Sequence, residues 1–394
     1  MDVTLRGKRE IFVRDGITAL LQKLQKLKDG DKPIWFCLLG LTACSLAALS
    51  GVAHCFLPSW RTVLVQAAAA VLGFLALGLL SCLDYRRLSS LWAFYTPAAV
   101  SLVLLTFLFG YSRAGSDDRA WLPVFGTGFT FQPTEFLKPV FLLNFSLHLS
   151  RVKKDMNRPL AVALLLLHAL AAPLLIHFQG DDGTALVFAL VAAVMLIGAG
   201  LSERWIALFG GICTICLPLG WAFVLHEDQR LRILSLFSQG EELAAISYQQ
   251  VQSLAALRNG GLFGIGLFSP GHTYVPEARN DFILSFIGES AGLLGILFVL
   301  SLLVLLCFRL ARLAYLAKRA KNPQGFLLCL GVLSLIVVQA AMNIGMCFRL
   351  LPVIGLNLPF LSAGGSSLLS SFCAMGLAQS VCIHKNPKPL TTTV

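Results

Sequence analysis

The sequence predicts an all-α polytopic membrane protein with about ten transmembrane helices and a large extracytoplasmic loop between helices 7 and 8. Two observations concern composition: 57% of the 394 residues are hydrophobic and only 13% are charged, about half the charged share of a soluble domain. The third concerns arrangement, because the apolar residues form long blocks of about the 20 residues that a helix needs to cross a bilayer. Since lipid offers the backbone no hydrogen-bond partner, ten such blocks predict a helical bundle.

Ten candidate spans organise the chain, and the fourth and sixth are the weakest because they are short or carry charge near their starts. The spans cover residues 34–57, 62–83, 91–111, 134–150, 159–177, 184–201, 204–225, 283–308, 326–348 and 363–383. They divide the sequence into a basic leader (1–33), a ten-helix membrane domain (34–384) and a tail (385–394). The large loop occupies residues 226–282 of the membrane domain.

The leader is charged, and the first apolar run begins only at Pro33. We therefore expect no cleaved signal peptide. Within the leader Ile17, Leu20, Leu21, Leu24 and Leu27 recur near helical spacing among lysines and an arginine. This pattern favours an amphipathic helix that lies on anionic lipid. The alternative is a solvated leader whose periodicity arose by chance.

The formal net charge of +11 would suggest nucleic acid as the partner of a soluble protein. In a membrane protein the basic residues instead determine topology. With the N-terminus in the cytoplasm, the cytoplasmic segments hold 22 of the 31 Lys and Arg residues and the outer segments hold 8. The positive-inside rule therefore predicts that both termini are cytoplasmic, and we expect no nucleic-acid partner.

Ionisable residues inside or at the rim of a span are functional candidates, because lipid penalises them. The first group is Phe131–Lys138, in which Glu135 and Lys138 lie three residues apart and share a helical face. They predict an ion pair, either in a polar cavity or at a helix end where the two charges merely neutralise each other. The second group contains Asp181 and Asp182, in a turn that leads into the sixth span. One aspartate is enough for a helix cap, and two are more than a cap requires.

The third group lies in the large loop and comprises Tyr248–Ser253, Asn259–Gly266 and Val275–Ile283. A loop of this length without structure of its own is normally functional, and its glycines could hold a backbone close to a ligand. The fourth group runs from Asn343 to Ser367, where two prolines and a Ser-Gly-Gly-Ser-Ser run break the helix. Irregular backbone at this depth is tolerated where it lines a cavity, and helix N-termini there favour an anion such as diphosphate.

All four groups fall on the outer side of the membrane under the orientation derived independently from charge. This agreement predicts a polar, carboxylate-containing cavity on the extracytoplasmic side.

The four groups together resemble the SEDS family, which includes the RodA, FtsW and SpoVE proteins. The matching motifs are F-Q-P-T-E-F-x-K at 131–138, D-x-G-T at 181–184, Y-Q-x-x-Q-S at 248–253, G-G-L-F-G-x-G-L at 260–267, P-E-A-x-x-D-F-I at 276–283, and N-I-G-M through G-G-S-S at 343–367. Six motifs in order are far more specific than any one of them. They cover nearly the whole chain after the leader, and ten spans match the family's architecture.

The resemblance implies a peptidoglycan glycosyltransferase of the bacterial cytoplasmic membrane. Such an enzyme polymerises lipid II, an undecaprenyl-diphosphate-linked disaccharide peptide, at the outer face together with a class B penicillin-binding protein. Asp281 matches the family's essential loop aspartate, which implies that it acts as the general base or organises the acceptor hydroxyl. A divalent cation, magnesium or manganese, between Asp281 and the diphosphate is compatible with this role, although no residue spacing identifies metal ligands.

The resemblance, together with charge and sidedness, extends the predicted site beyond Asp281 to cavity or substrate-binding residues. These are Arg119, Gln132, Glu135, Lys138, Asp181, Gln252, Ser253, Glu277, Arg279, Asn343, Ser366 and Ser367.

The chain departs from the family's pattern at Gly180, Asp182, Ser290, Arg349 and Ala363, which indicates a divergent member and leaves open whether it serves elongation, division or sporulation. Two other functions stay open from the residues alone. Polar groups within spans and broken helices are also typical of a lipid II flippase or transporter. A catalytically inert scaffold that recruits penicillin-binding proteins is the third possibility, although the loop aspartate that it would lack is present.

Overall fold

The computed structural model describes residues 27–385 except 57–58, 113–118, 125–128, 224 and 238–240. The predicted amphipathic leader helix lies outside the described residues, apart from a short 3-10 turn at Leu27–Asp29. Residues 386–394 of the predicted tail also lie outside them.

Thirteen α-helices and one short hairpin make up the described part of the chain. The helices are α1 (Lys32–Cys55), α2 (Arg61–Cys82), α3 (Tyr85–Ser90), α4 (Trp92–Phe109), α5 (Pro133–Val152), α6 (Pro159–His177), α7 (Asp182–Ala199), α8 (Glu203–Phe223), α9 (Glu227–Leu234), α10 (Glu241–Gly260), α11 (Ile283–Arg319), α12 (Pro323–Cys347) and α13 (Gly365–Ile383). The hairpin pairs β1 (Leu122–Val124) with β2 (Phe129–Phe131) in antiparallel register.

Nine of the described helices are long and apolar enough to cross a membrane, namely α1, α2, α4, α6, α7, α8, α11, α12 and α13. The remaining predicted span is α5, which is less apolar because it carries Glu135, Lys138 and Arg151. Its 20 residues extend about 30 Å at 1.5 Å per residue, which matches the hydrocarbon core. The predicted fold class, an all-α polytopic membrane protein, is confirmed.

Helix α13 lies at the centre of the bundle. It packs against α2, α5 and α12, while α12 also contacts α7 and α11. The side chains of α13 are buried along nearly its whole length, which explains why its small and polar residues are accommodated within a span. Helix α8, by contrast, has no buried residue in the described chain and presents its apolar side chains outward.

The predicted span at 283–308 needs correction. Helix α11 continues to Arg319 and is interrupted at Gly292, whose φ of 67° and ψ of −166° are not helical. Residues 283–291 therefore form a separate, mostly buried first half, and the long second half follows Gly292. A positive φ with an extended ψ is open essentially only to glycine, so the break is located by that residue.

The large loop also differs from the expectation that it has no structure of its own. It contains α9 and the 20-residue α10, and α10 packs against α11. The length of residues 226–282 is therefore explained by helices rather than by an irregular excursion.

One end of the bundle is closed by contacts between chain segments that the charge pattern predicts to be cytoplasmic. Arg309 of α11 binds the Asp31 carboxylate through two nitrogens, at 3.0 and 2.5 Å. Gln379 of α13 exchanges hydrogen bonds with the Asp31 backbone at 2.8 and 2.9 Å. Nearby, Tyr85 and Asn322 are hydrogen bonded at 2.9 Å, and burial raises the pKa of the Tyr85 hydroxyl, so this phenol stays neutral.

Candidate active site

The four polar groups predicted from the sequence meet at the other end of the bundle, which we call the Asp281 end. Gln132 donates from Nε2 to Asp181 Oδ2 at 3.0 Å, which joins the first group to the second. The Gln132 backbone N–H donates to Ser366 Oγ at 3.2 Å, which joins the first group to the fourth. Asn343 donates from Nδ2 to the backbone carbonyl of Asp281 at 2.7 Å, which joins the fourth to the third. These contacts bring segments more than 200 residues apart into one assembly.

The ion pair predicted on α5 is present and buried. Lys138 Nζ lies 2.6 Å from Glu135 Oε1, and the side chains are only 3% and 6% exposed. Ser370 of α13 donates to the Glu135 backbone carbonyl at 2.5 Å, which fixes the first turn of α5 to the central helix. The two charges therefore satisfy each other inside the protein, and the pair orders the packing of α5.

Asp181 and Asp182 have different partners at the start of α7. Asp181 Oδ1 accepts the Thr184 backbone N–H at 2.9 Å as an N-cap, and its other oxygen accepts the hydrogen bond from the Gln132 side chain described above. Asp182 accepts a hydrogen bond from Gln229 of α9 at 2.7 Å and also lies against His177 Nδ1. The second aspartate, a departure from the family's motif, thus ties α7 to a helix of the large loop.

Asp281 lies half-buried two residues before the start of α11. Its backbone carbonyl accepts hydrogen bonds from Asn343 at 2.7 Å and from Cys347 Sγ at 3.6 Å. Asn343 also donates to the backbone carbonyl of Leu356 at 2.7 Å, so one buried amide positions both the loop and the irregular segment 348–364. The Asp281 carboxylate faces that segment, because a Cβ placed on Gly355 would lie 3.8 Å from Oδ2.

Helix α10 carries the Y-Q-x-x-Q-S motif against the end of α12. Ser253 donates to the Cys347 carbonyl at 2.8 Å, and its Oγ lies 2.5 Å from Ser285 Oγ. Gln250 donates from Nε2 to the Leu351 carbonyl at 2.7 Å. Because Ser253 and Gln250 are buried, their polar atoms hold α10, α11 and α12 together beside Asp281.

The two predicted arginines enter the assembly through their backbones. The Arg119 N–H donates to the Gln179 carbonyl at 3.3 Å, and the Ala363 N–H donates to the Arg279 carbonyl at 2.8 Å. The Arg119 residue is exposed and Arg279 is half-buried. Of the remaining predicted residues, Glu277 is exposed, Gln252 is half-buried and Ser367 is buried.

Sequence reasoning missed Gln66 of α2, which is 1% exposed. Its Nε2 donates to the Ser362 carbonyl at 3.0 Å and to Ser45 Oγ at 3.1 Å. Its Oε1 accepts the Gly364 N–H at 3.1 Å. Gln66 therefore supports the backbone that leads into α13. A lone glutamine in an apolar span was the available signal, because a polar group at that depth needs a partner.

Chemically, the arrangement presents one half-buried carboxylate on a backbone that is fixed from two directions. The described residues contain no cluster of three or more His, Cys, Asp or Glu that would hold a metal by themselves. Magnesium, however, is commonly bound through one or two carboxylates together with substrate phosphates. Asp281 fits that kind of site, in which the substrate completes the coordination.

Comparison with known families identifies this arrangement. A family model described as "Cell cycle protein", covering the FtsW, RodA and SpoVE proteins, matches residues 34–387. The chain is a member of the FtsW–RodA–SpoVE family. The match includes all four polar groups and begins within α1.

Individual members of the FtsW–RodA–SpoVE family agree with this assignment. The chain is 33% identical over 334 residues to a protein of Geobacter metallireducens named "Probable peptidoglycan glycosyltransferase FtsW", covering 82% of this chain and 85% of that protein. It is 26% identical, with a TM-score of 0.75, to a chain solved in "Structural coordination of polymerization and crosslinking by a peptidoglycan synthase complex", covering 91% and 99%. The crystal structure of Thermus thermophilus RodA gives 26% identity and a TM-score of 0.65, covering 91% and 98%.

Arg349 illustrates how this FtsW–RodA–SpoVE member accommodates a departure from the family's pattern. It has a φ of 55° and donates to the Ser235 backbone carbonyl at 2.7 Å. Arg232 of α9 approaches the Val353 carbonyl at 3.5 Å. These contacts fasten the α9 region of the large loop to the irregular segment beside Asp281.

Proposed function

We propose that this protein is a peptidoglycan glycosyltransferase that polymerises lipid II into glycan strands. The observation that carries the proposal is the setting of Asp281, whose backbone is bound by Asn343 where four separate polar segments meet. The same segments carry the motifs of a family in which similar chains are named peptidoglycan glycosyltransferases. Conserved fold alone would not define an activity, so the proposal depends on this carboxylate and its support.

In the reaction, a sugar hydroxyl of one substrate molecule attacks the anomeric carbon of a second molecule. That carbon is bonded to undecaprenyl diphosphate. The new glycosidic C–O bond forms as the bond from the anomeric carbon to the diphosphate oxygen breaks, and undecaprenyl diphosphate leaves with that bonding pair. The hydroxyl proton passes to a base. We assign this role to the Asp281 carboxylate, which lies half-buried where the four polar groups meet. As the general base it must come within hydrogen-bond reach of that hydroxyl.

The leaving diphosphate requires positive charge or hydrogen-bond donors. Arg279 and Arg119 are the candidate cations, since the backbone of each is joined to the Asp281 end. A divalent cation would be held by Asp281 and would neutralise diphosphate charge when bound. Ser366 and Ser367, in the first turn of α13, are the candidate neutral donors.

We assign the Asp281 end to the extracytoplasmic face of the bacterial cytoplasmic membrane and both termini to the cytoplasm. The charge bias of the short loops supports this orientation: the opposite end carries the Asp31–Arg309 assembly, and the sequence that precedes Asp31 is rich in lysine and arginine. Reporter fusions at the C-terminus test it. A cytoplasmic fluorescent protein should fold and fluoresce there, whereas activity of a periplasmic phosphatase fused at the same position would contradict the assignment.

We also propose a class B penicillin-binding protein as partner, because one similar chain was solved in work on a peptidoglycan synthase complex. The test is polymerisation of fluorescent lipid II by the purified protein, alone and with the partner encoded in the same organism. Glycan polymer that depends on this chain supports the proposal. Transfer of lipid II across vesicle membranes without polymer formation would instead establish a flippase. A protein that binds the partner but shows neither polymerisation nor lipid transfer would be a scaffold.

A further inference from the structure

The break in α11 is held by backbone hydrogen bonds from the glycine segment (Gly260–Gly266). The N–H groups of Ile265 and Gly266 donate to the carbonyls of Glu289 and Ser290 at 2.9 and 3.0 Å. On the other side of the break, the Leu293 N–H donates to the carbonyl of residue 261 at 2.9 Å. A helix interrupted at this depth exposes its last carbonyls and first N–H groups, and the glycine segment satisfies them.

This contact explains the glycines in a way that differs from the sequence interpretation. A Cβ on Gly260 would lie 2.0 Å from the Gly288 carbonyl oxygen, and one on Gly264 would lie 2.3 Å from the Ser290 carbonyl oxygen. Gly260 and Gly264 therefore allow one backbone to approach another, a packing role that the sequence interpretation did not include.

One buried side chain gathers the rest of the loop onto the same break. Glu289 Oε1 accepts hydrogen bonds from Asn259 Nδ2 at 2.7 Å and from the backbone N–H and hydroxyl of Thr273 at 2.9 and 2.7 Å. Glu289 Oε2 lies 2.9 Å from His272 Nδ1. The side chains of Glu289 and His272 are each only 1% exposed.

The hydrogen bonds of the His272 ring determine how many protons the Glu289–His272 pair holds. Its Nε2 lies 2.9 Å from the Gly266 carbonyl oxygen, which can only accept, so Nε2 must carry a proton. One further proton must then lie between Nδ1 and Glu289 Oε2 at 2.9 Å, since without it two lone pairs would face each other.

We infer that Glu289 and His272 form a proton-dependent lock that holds the glycine segment in the break of α11 and thereby positions Asp281. The lock is closed while the shared proton is bound and opens as rising pH removes it. Glu289 and His272 are positioning residues in this inference, because their hydrogen bonds lie at the break of α11 and they act on Asp281 through the backbone.

The path from the lock to Asp281 is short. The first half of α11 (residues 283–291) begins two residues after Asp281 and contains Glu289. Phe286, in the same half, stacks on the His272 ring with centroids 4.6 Å apart. Asn343 holds Asp281 from the other direction. Release of the glycine segment would leave the carbonyls of residues 289 and 290 without these donors and would free the half-helix to pivot at Gly292.

Other titratable groups lie on the elements packed around the Glu289–His272 pair. An experiment must distinguish their pH responses from that of the pair. Cys55 and His54 end α1, and Cys55 Sγ lies 3.5 Å from the Ser269 carbonyl oxygen. Tyr274 follows two residues after His272, and its ring contacts Phe56 edge-on at 5.7 Å. Arg258 lies in the last turn of α10.

Hydrogen exchange of the full-length protein in lipid nanodiscs tests the lock without requiring catalysis. The readout is protection of the amides in residues 261–268, corrected for the intrinsic effect of pH on exchange. In the wild type, protection should fall about tenfold or more as pH rises, because loss of the proton breaks a buried hydrogen bond. In Glu289→Gln it should become independent of pH, because the amide donates to neutral His272 Nδ1.

His272→Lys gives a second test if Glu289→Gln does not fold. The ammonium keeps its proton to a pH about four units above that of an ordinary histidine, so the loss of protection should move upward by a similar amount. His54→Gln is the matched control, since it removes a neighbouring histidine that contacts Phe268, and it should behave like the wild type. A pH response that is unchanged in both lock variants, or absent in the wild type, would overturn the inference.

Polymerisation of lipid II adds a second readout, and this part depends on the proposed function. The alkaline decline of wild-type polymerisation should follow the loss of protection and should disappear in Glu289→Gln. If exchange changes as expected while the wild type makes no polymer at any pH, the proposed function fails and the lock stands. If polymer forms but its alkaline decline is the same in Glu289→Gln, the link from lock to Asp281 is refuted.

Discussion

Asn343 binds the backbone carbonyl of Asp281 and that of Leu356 through a single side-chain amide, each at 2.7 Å. Asn343 is fully buried and is the nitrogen donor to both carbonyls, while Cys347 Sγ makes a longer second contact with the Asp281 carbonyl at 3.6 Å. This relationship joins α12 to the loop that carries Asp281 and to the irregular segment that faces its carboxylate.

Replacement of Asn343 should therefore uncouple the Asp281 loop. Asn343→Asp keeps the shape but cannot donate when ionised, and an unsatisfied buried acceptor costs about 1–3 kcal/mol. We expect a lower unfolding temperature and loss of polymerisation. Thermal unfolding in detergent and the lipid II assay measure the two effects. Full activity in a folded Asn343→Asp protein would show that Asp281 does not need this support.

The Glu135–Lys138 pair predicts a non-additive double-mutant cycle. Removing one partner leaves a buried charge and should cost about 3–5 kcal/mol, whereas an apolar pair is expected to be near neutral. Lys138→Leu and Glu135→Leu should each strongly lower the unfolding temperature, and the double variant should recover most of it. A double variant as unstable as the single ones would reveal that each charge has another essential partner.

Substitutions of Asp181 distinguish a helix-capping role from a role in the cavity. Asn is an equally good N-cap, so Asp181→Asn should keep stability, while Asp181→Ala should lose about 1 kcal/mol. If the carboxylate serves the cavity, both variants lose polymerisation. Asn322→Ala is the matched control, because Asn322 caps α12 at the opposite end by accepting the Gly325 N–H at 3.1 Å. The Asn322→Ala protein should lose stability and keep its activity. If Asp181→Asn also keeps its activity, Asp181 serves only as a helix cap.

Gly292 should tolerate no side chain. A Cβ there would lie 2.4 Å from the backbone of Leu262, and the positive φ adds about 1–3 kcal/mol of strain for other residues. Gly292→Ala should strongly reduce the yield of folded protein. Gly211→Ala on α8, where no atom lies within 4 Å of the added Cβ, should express normally. Fluorescence-detected size exclusion compares the two, and equal monodisperse yield would contradict the packing at the break.

Most of the bundle was predictable because the signal for a span is repeated over about 20 residues. Helix α6 has the predicted bounds, 159–177, and the other predicted spans differ by a few residues, except α11, which continues to Arg319. The break at Gly292 was not predictable, since one glycine in an apolar run is ordinary and its φ depends on the Leu262 backbone against it. Helices α9 and α10 were missed because their sequences are polar and lack the long apolar run that marks a span.

The site was predictable at the level of segments and less so at the level of contacts. Charge sidedness placed four polar groups together, and the spacing of Glu135 and Lys138 predicted their pairing. The hydrogen bonds from Gln66 to Ser362 and from Glu289 to Thr273 depend on how distant segments pack. A sequence alone shows that such polar residues need partners, but it does not say which atoms provide them.

The most direct test of the central claim is lipid II polymerisation by Asp281→Asn, purified in parallel with the wild type and its partner. The amide keeps the size of the side chain and leaves the backbone bond to Asn343 intact, but it is not a base. We expect an unchanged unfolding temperature, no glycan polymer, and a wild-type rate that declines as falling pH protonates the carboxylate. Polymer formation by folded Asp281→Asn at the wild-type rate would contradict the account.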